Sequence, residues 1–573
     1  MRNSKKEFNP EFKNFREIVN YASNKYKTNT AYIYKENPNE NPPKYVKKSF
    51  EQTGKDIKAF STALLNANFS SNKVAVIGTN RYEWIVSYFA VTCSGKVIAP
   101  MDKALPEEEI RSLIKRSEVE VAIFDKKYLE IFKKIKHEFF SKLKTLICMD
   151  DIDDPDVISF NKLLQDGRVL VSNGNTKFDE VKIDENAMAI MLFTSGTTDK
   201  AKIVMLSQNN ICSNIYAYQN HFIMLPSDTL LSFLPIHHTF ESSITIIYGF
   251  YCGARVAFCD GIRHIADNLK EYEVSIFVAV PLLLDTMYKK IQNGIASQGK
   301  TNLINKLTKF SNSLQKHHID IRRKLFKSIL DKFGGKLRII LYGAASLDKD
   351  TIIGFKNFGI DSIQGYGLTE TSPVLVAESE TKHCPGSAGY PLDNVEIKIY
   401  EPDKDGVGEV LAKGPNIMLG YYKDEKKTKE AFVDGWFRTG DYGYIDNNGF
   451  LFITGRKNDI IVLKNGKNVY PQEIEFLINK LPYVAECMVF SRDQSKTDTM
   501  LVAKIVYDPQ AISETFPGAK KEDYETLIWN DIKEINQTLP NFKHIKKIII
   551  TDEPMSKTTT QKIKRYEEIK KCK

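Results

Sequence analysis

The densest run of hydroxyl groups beside a flexible backbone in this chain is Thr194-Ser195-Gly196-Thr197-Thr198-Asp199-Lys200-Ala201-Lys202, set between the apolar runs AMAIMLF and IVML. Such a loop offers backbone N–H and side-chain O–H donors to an anion, and Lys202 adds positive charge, so its chemistry suits phosphate. The GxxxxGK[ST] pattern fits nowhere in it, which argues against a P-loop nucleotide site. By itself a Ser/Thr cluster is as readily a solvated turn. Further along, Gln364-Gly365-Tyr366-Gly367-Leu368-Thr369-Glu370-Thr371 packs an aromatic face, a hydroxyl and a carboxylate into one glycine-flexed turn. Those groups suit base stacking, phosphate hydrogen bonding and Mg2+ binding respectively. A tyrosine between glycines is more often a packing turn when it stands alone; together the two loops point to a nucleotide.

Loops of this kind need a layered scaffold to hold them. Short apolar runs at 73–78, 119–124, 187–193, 230–234, 276–280 and 337–341 read as buried strands. Helical patterns such as Gln52 to Asn66 and Pro106 to Ser117 alternate with them, which predicts layered α/β structure. From Gly406 the texture changes to short β-like runs separated by Asp-Gly, Asn-Gly and Thr-Gly turns, expected to form a β-rich subdomain. After Arg456-Lys457-Asn458-Asp459 comes a smaller α+β unit with a helical Gln472 to Lys480, a strand-like Met500 to Tyr507 and a lysine-rich end. The expected domains are therefore 1–457 and 458–573. Two domains also suit the length, because single cores seldom grow past roughly 250 to 300 residues.

Composition excludes several classes. The 42% apolar and 27% charged residues are ordinary for a globular protein. None of the eight cysteines falls in a CxxC pair or at metal-ligand spacing, so neither a disulfide framework nor a zinc site is expected. The N-terminus MRNSKKEFNPEFKNF carries charge without a following apolar run, unlike a secretory signal, and the stretch SSITIIYGFYCGA is too short and too broken to span a bilayer. The expected location is the cytoplasm, with peripheral contact at the inner membrane face as an option. The net charge of +9 suits phosphorylated ligands or an anionic membrane surface, and equally a lysine-rich solvated surface; nucleic acid is not an expected partner.

The segments TSGTTDKAK, YGLTET, WFRTGD, TGRKNDIIVLKNGKNVYPQEIE and PMSKTTTQKIKR stand in the order and spacing of the adenylate-forming superfamily, which includes acyl-CoA synthetases, peptide-synthetase adenylation domains and firefly luciferase. The chain resembles that superfamily from about Phe15 to Arg565, and five ordered motifs are far more specific than any one. The resemblance implies ATP, Mg2+ and CoA as ligands. It implies that Thr194, Ser195, Gly196, Thr197, Thr198 and Lys202 grip the β- and γ-phosphates, that Gly343, Ala344 and Ala345 lie along the adenine, and that Tyr366 stacks on it. Thr369 would touch the α-phosphate, Glu370 would hold Mg2+, and Asp441 and Arg456 would reach the ribose hydroxyls. Lys562 would bridge the substrate carboxylate and the α-phosphate, a role suited to a mobile point charge. Asn458 would be the hinge of a mobile C-terminal domain, and Lys464 and Gly466 would lie in the loop that swings toward the thiol tunnel. Departures from the family pattern are Asp199, Ala201 and Ile203 in the phosphate loop, Asn458 at the hinge and Gln561 before the lysine.

For the acid, Leu234-Pro235-Ile236-His237-His238-Thr239-Phe240-Glu241 resembles a segment of medium- and long-chain fatty acyl-CoA synthetases, with His238, Glu241 and Gly367 on the substrate side. His238 could equally be a packed core histidine, and the following ITIIYGFYCGARVAF either a tunnel wall or a core helix. The expectation is a fatty acid–thiol ligase of the AMP-forming kind. Alternatives are an amino acid substrate paired with Glu241, an acyl carrier protein as acceptor, and a non-catalytic acyl- or nucleotide-binding relative.

Overall fold

The computed structural model describes residues 11–67, 72–139, 142–194, 201–343, 347–463, 467–493, 499–557 and 563–572. The chain divides into two compact units: Met1–Ile397 with Ala412–Phe437, and Lys398–Leu411 with Arg438–Lys573.

In the larger unit the alternation of short apolar strands with helices produces two largely parallel sheets, as expected where helices cover both faces. Among the described residues, eight strands form the first, in the order Gly420–Tyr421, Lys202–Ser207, Met188–Thr194, Val97–Met101, Lys73–Ile77, Val121–Phe124, Thr145–Cys148, Ile158–Ser159. It is parallel from Met188–Thr194 to the Ile158 edge, and its first three strands are antiparallel. Nine described strands form the second: Tyr390–Pro391, Val374–Ala377, Asp361–Gly367, Ile339–Tyr342, Ile276–Ala279, Thr229–Ser232, Arg255–Phe258, Thr30–Lys35, Tyr45–Ser49. Its interior is parallel and its outer pairings are antiparallel. The six strands and two helices expected from the sequence lie in these positions, to within a few residues at each end.

Helix Tyr82–Cys93 is buried at every position but Glu83, as an element apolar on all sides must be. Tyr82 packs on Tyr32 with ring centroids 5.8 Å apart, and Phe89 on Phe250 at 5.6 Å. Helices Phe50–Asn66 and Phe160–Ser172 approach so closely that a Cβ at Gly167 would lie 2.0 Å from the Ala59 carbonyl oxygen, so only glycine fits there. The stretch over which sequence left two readings is a π-helix, Glu241–Tyr248, continued as Gly249–Cys252 and then as strand Arg255–Phe258; every residue from Glu241 to Cys252 is buried. No helix among the described residues is long and apolar enough to cross a membrane.

The smaller unit is α+β. Strands Val484–Asp493 and Thr499–Tyr507 are antiparallel, and Ile545–Thr551 joins the second in parallel. One face packs Ile474 and Ile478 of helix Pro471–Ile478 and Ile528 and Ile532 of helix Tyr524–Gln537. Met488, Phe490, Val502, Val506 and Met555 form a second cluster, with Ile569 of helix Arg565–Lys571 against it.

Candidate active site

In the larger unit, Thr194 and Lys202 are cross-strand partners that close the hydroxyl loop. Ser195, Gly196, Thr197 and Thr198 lie outside the described residues; the exit of the loop is held by Arg116, which donates to the Ala201 carbonyl at 2.5 Å. The Lys202 ammonium stands 4.7 Å from the centre of the Tyr421 ring, within cation–π range. The Tyr421 hydroxyl donates to Glu370 Oε1 at 3.0 Å, and the Met418 amide donates to the Glu370 carbonyl at 2.9 Å. Burial first, then the charge of Glu370, keep the Tyr421 phenol protonated well above its ordinary range. A carboxylate, a cation and the mouth of a hydroxyl loop thus meet at one sheet edge. Tyr421 was not singled out from the sequence; the signal available was an aromatic pair after a glycine in MLGYY.

The turn that carries Glu370 is fixed by its own backbone. Strand Asp361–Gly367 ends in a single 3-10 turn, Thr369–Thr371, where the Thr371 hydroxyl accepts from the Leu368 amide at 2.9 Å and donates to the Pro373 carbonyl at 2.7 Å. A Cβ on Gly367 would lie 1.9 Å from the Pro373 carbonyl oxygen, so the turn closes only around glycine. Asn416 donates to the carbonyls of Thr371 and Val374, both at 2.9 Å, and Asn210 donates to those of Pro415 and Ile417. Asn210 is also the N3 member of the capping box that starts helix Gln208–Tyr218, so one helix start anchors the segment leading to Tyr421.

Tyr342 pairs with Gln364 in parallel register, which sets Gly343 beside Gly365. A Cβ on Gly343 would come within 2.8 Å of the Gly365 oxygen, with Phe240 Cζ at 3.9 Å. Gly343 and the half-buried Tyr366 therefore stand together at the carboxyl ends of neighbouring parallel strands, where open α/β sheets bind their ligands. Ala344 and Ala345 lie outside the described residues.

His238 is half-buried, with its ring centroid 4.2 Å from that of His237. Its neighbour His237 was not singled out from the sequence. Burial, then His238, push His237 down to about 3, although its Nε2 is 3.5 Å from Asp102 Oδ2. Glu241 has no exposed surface; Ser232 donates to its Oε1 at 2.6 Å and Thr245 to its Oε2 at 3.0 Å. Burial raises its carboxyl to about 8, against the effect of those two bonds.

In the smaller unit, Asp441 and Arg456 are cross-strand partners in the hairpin of Trp436–Ile445 with Leu451–Arg456. Arg456 Nε lies 2.9 Å from Oδ1 of the buried Asp441, and the Asp441 amide donates to Thr439 Oγ1 at 3.1 Å. Asn458 is exposed on the 3-10 turn Lys457–Asp459. Asp459 accepts from Gln472 at 2.8 Å and lies 3.5 Å from Arg565, which also reaches both oxygens of Glu475 at 2.5 Å. Lys464, Gly466 and Lys562 lie outside the described residues. Their loops are closed by described pairs: Val462 with Asn468, and Lys557 with Ile563.

Among the described residues no cluster of three metal-ligating side chains occurs. One oriented carboxylate, Glu370, nonetheless fits Mg2+, which keeps several waters and is commonly held by one or two carboxylates and substrate phosphates.

Residues 19–422 match the AMP-binding enzyme family, and 458–573 match the AMP-binding enzyme C-terminal domain. Long-chain-fatty-acid–CoA ligase 5 of Rattus norvegicus is 28% identical over 92% of this chain and 83% of its own length. Long-chain-fatty-acid–[acyl-carrier-protein] ligase AEE15, chloroplastic, of Arabidopsis thaliana is 26% identical over 97% and 85%. Among solved structures, the anthranilate CoA ligase AuaEII in complex with anthranoyl-AMP superposes with a TM-score of 0.76 at 19% identity, covering 99% of both chains. That likeness shows the fold.

Proposed function

We propose, from the premise that this chain belongs to the AMP-binding enzyme family, that it is an AMP-forming ligase joining a fatty acid to the thiol of CoA. The observation that carries the reading is the meeting of Lys202, Tyr421 and Glu370 at the mouth of the hydroxyl loop, beside the turn that presents Thr369. The acid is assigned from the similarity to long-chain fatty acid ligases over more than nine-tenths of the chain.

In the first step the substrate carboxylate oxygen attacks the α-phosphorus of ATP in line, the bond to pyrophosphate breaks, and acyl-AMP forms. Thr194 to Thr198 and Lys202 hold the β- and γ-phosphates, Thr369 donates to the α-phosphate, and Lys562 neutralises charge between carboxylate and phosphate. Glu370, oriented by Tyr421, would hold Mg2+, which supplies charge neutralisation on the phosphates. Gly343, Ala344, Ala345 and Tyr366 take the adenine, Asp441 accepts hydrogen bonds from the ribose hydroxyls, and Arg456 donates to the ribose oxygens. In the second step the thiol sulfur attacks the acyl carbon, AMP leaves, and the thiol proton passes to solvent. Asn458 is the joint at which the segment 458–573 turns between steps, withdrawing Lys562 and bringing the loop of Lys464 and Gly466 toward the thiol. Most of the acceleration comes from positioning and charge stabilisation.

Gly367 and His238 border the acid, and Glu241, three positions after His238, is held by Ser232 and Thr245. A carrier-protein acceptor is the second reading, favoured by the similarity to the Arabidopsis thaliana ligase over nearly the whole chain. Contact with a membrane surface, where a long-chain acid partitions, belongs to the same proposal.

The test is pyrophosphate release with ATP, Mg2+ and acids from acetate to palmitate, with CoA, with acyl carrier protein or with neither. The expected result is CoA-dependent turnover peaking at one fatty acid and lost in Lys562→Ala. Turnover only with carrier protein moves the acceptor to the second reading, and no release with any acid overturns both.

A further inference from the structure

The stretch 289–338 contains thirteen Lys and Arg against two Asp, a surplus of eleven that exceeds the +9 of the whole chain. The basic character read from composition is therefore local, and the remainder of the chain is slightly acidic.

This stretch is helical and forms part of the larger unit's surface. Helix Thr301–Gln315 turns Ile304 and Leu307 onto the core, together with the buried Ser311. Leu303 and Phe310, two turns apart and hence one above the other, are 53% and 55% exposed. Lys306 and Lys309 flank them on the outer side, both exposed. The chain leaves the helix through Lys316, His317 and His318, all exposed, to Ile319, which is 50% exposed. Other cations of the stretch are engaged: Arg322 with Asp320, Arg323 with three backbone carbonyls, Lys327 with Asp331 and Arg338 with Asp228. Lys306, Lys309 and Lys316 form no ion pair among the described residues.

A helix that buries one apolar row and exposes a second beside free lysines has the chemistry of an element lying at a bilayer interface. Lysine ammonium groups meet lipid phosphates while leucine and phenylalanine enter the acyl boundary. A soluble polyanion would use the charge but leave Leu303, Phe310 and Ile319 without a function. We infer that the face formed by Leu303, Lys306, Lys309, Phe310, Lys316 and Ile319 docks the protein on an anionic lipid bilayer. The inference rests on the membrane-contact part of the proposal above and not on turnover, so it can fail or stand independently of the ligase reaction.

The test is flotation of the full chain with phosphatidylcholine vesicles, with and without phosphatidylglycerol, at low and high salt. Near a charged surface each lysine is worth roughly a fivefold change in partitioning. Binding is therefore expected only with phosphatidylglycerol, to weaken severalfold at high salt, and to drop by roughly two orders of magnitude in K306E/K309E/K316E. L303S/F310S should lose binding at both salt concentrations. Both variants should keep the wild-type circular dichroism and the release of pyrophosphate with a short soluble acid. Absence of wild-type binding overturns the inference, as does unchanged binding in either folded variant. Loss in the lysine variant alone, with wild-type binding competed by heparin, would reassign the face to a polyanionic partner.

Discussion

The hydroxyl of Tyr421 donates to Oε1 of Glu370 across 3.0 Å, although 51 positions separate them in the chain. Glu370 sits on a one-turn helix that could not orient a carboxylate alone; the sheet edge at Gly420–Tyr421, paired with Val204 and Met205, supplies the missing constraint.

Removing that constraint should loosen the metal rather than the nucleotide. Tyr421→Phe is expected to raise the Mg2+ concentration for half-maximal pyrophosphate release by about tenfold, the low end for groups that orient metal ligands. ATP KM at saturating Mg2+ should change little. A Mg2+ titration that superposes on wild type would mean that Tyr421 only packs against Lys202.

The Asp441–Arg456 pair offers a nucleotide-side counterpart. Asp441→Ala should raise ATP KM about tenfold or more, since a hydrogen bond to a charged group is worth about 1.5–3 kcal/mol. Asp441→Asn, which keeps one acceptor, should fall between. Equal ATP KM in all three proteins would detach the pair from the ribose.

Glu241 makes stability depend on pH in an unusual sense. Its carboxyl titrates at about 8 in the folded chain, whereas the unfolded group titrates near its ordinary value of 4.5. Between those values the folded state holds a proton that the unfolded state has lost, so stability falls as pH rises. The loss is about 1.4 kcal/mol per pH unit within the window. Glu241→Gln removes that dependence, so its melting temperature should gain on wild type steadily from pH 5 to pH 8. Parallel melting curves for the two proteins would sink the assignment.

His237 works in the opposite direction. Its imidazole titrates at about 3 when folded and near 6.5 when unfolded, so the unfolded state binds the extra proton and stability is lost as pH falls below 6.5. His237→Gln should be less acid-sensitive than wild type between pH 6.5 and pH 4. Identical acid denaturation profiles would show that the ring is solvated and charges freely.

Gly367→Ala tests the turn itself. With the Pro373 oxygen 1.9 Å from the new methyl group, backbone must move, at a cost of about 1–3 kcal/mol for an overpacked site. Pyrophosphate release should fall with the melting temperature, because Thr369 and Glu370 move with the strand end. Full activity at wild-type stability would show that the turn tolerates a side chain.

Much of this protein could be read before folding. The two hydroxyl- and glycine-rich loops pointed to a nucleotide only when taken together, and the parallel strands followed from short apolar runs between helices. The pairing of Asp441 with Arg456 was implied only as two residues near one sugar; register makes them direct neighbours. Glu241 was read as a group facing substrate, and its enclosure by Ser232 and Thr245 appears only once strand and π-helix pack. The concentration of charge in 289–338 was present in the sequence, but the apolar residues beside the lysines could have belonged to the core until Leu303 and Phe310 were seen outside it.

The order of motifs is a property of the chain and determines which reacting groups are available. Their orientation is not, because a carboxylate or imidazole takes its direction and protonation from groups that only packing brings near. Tyr421 on Glu370, Asp102 beside His237 and the dry surroundings of Glu241 all come from contacts between distant segments or from burial itself. Residue types and their order limit the chemistry open to the chain; packing sets which groups are held, which stay neutral and which face solvent, since hydrogen-bond geometry and desolvation exist only in the folded chain.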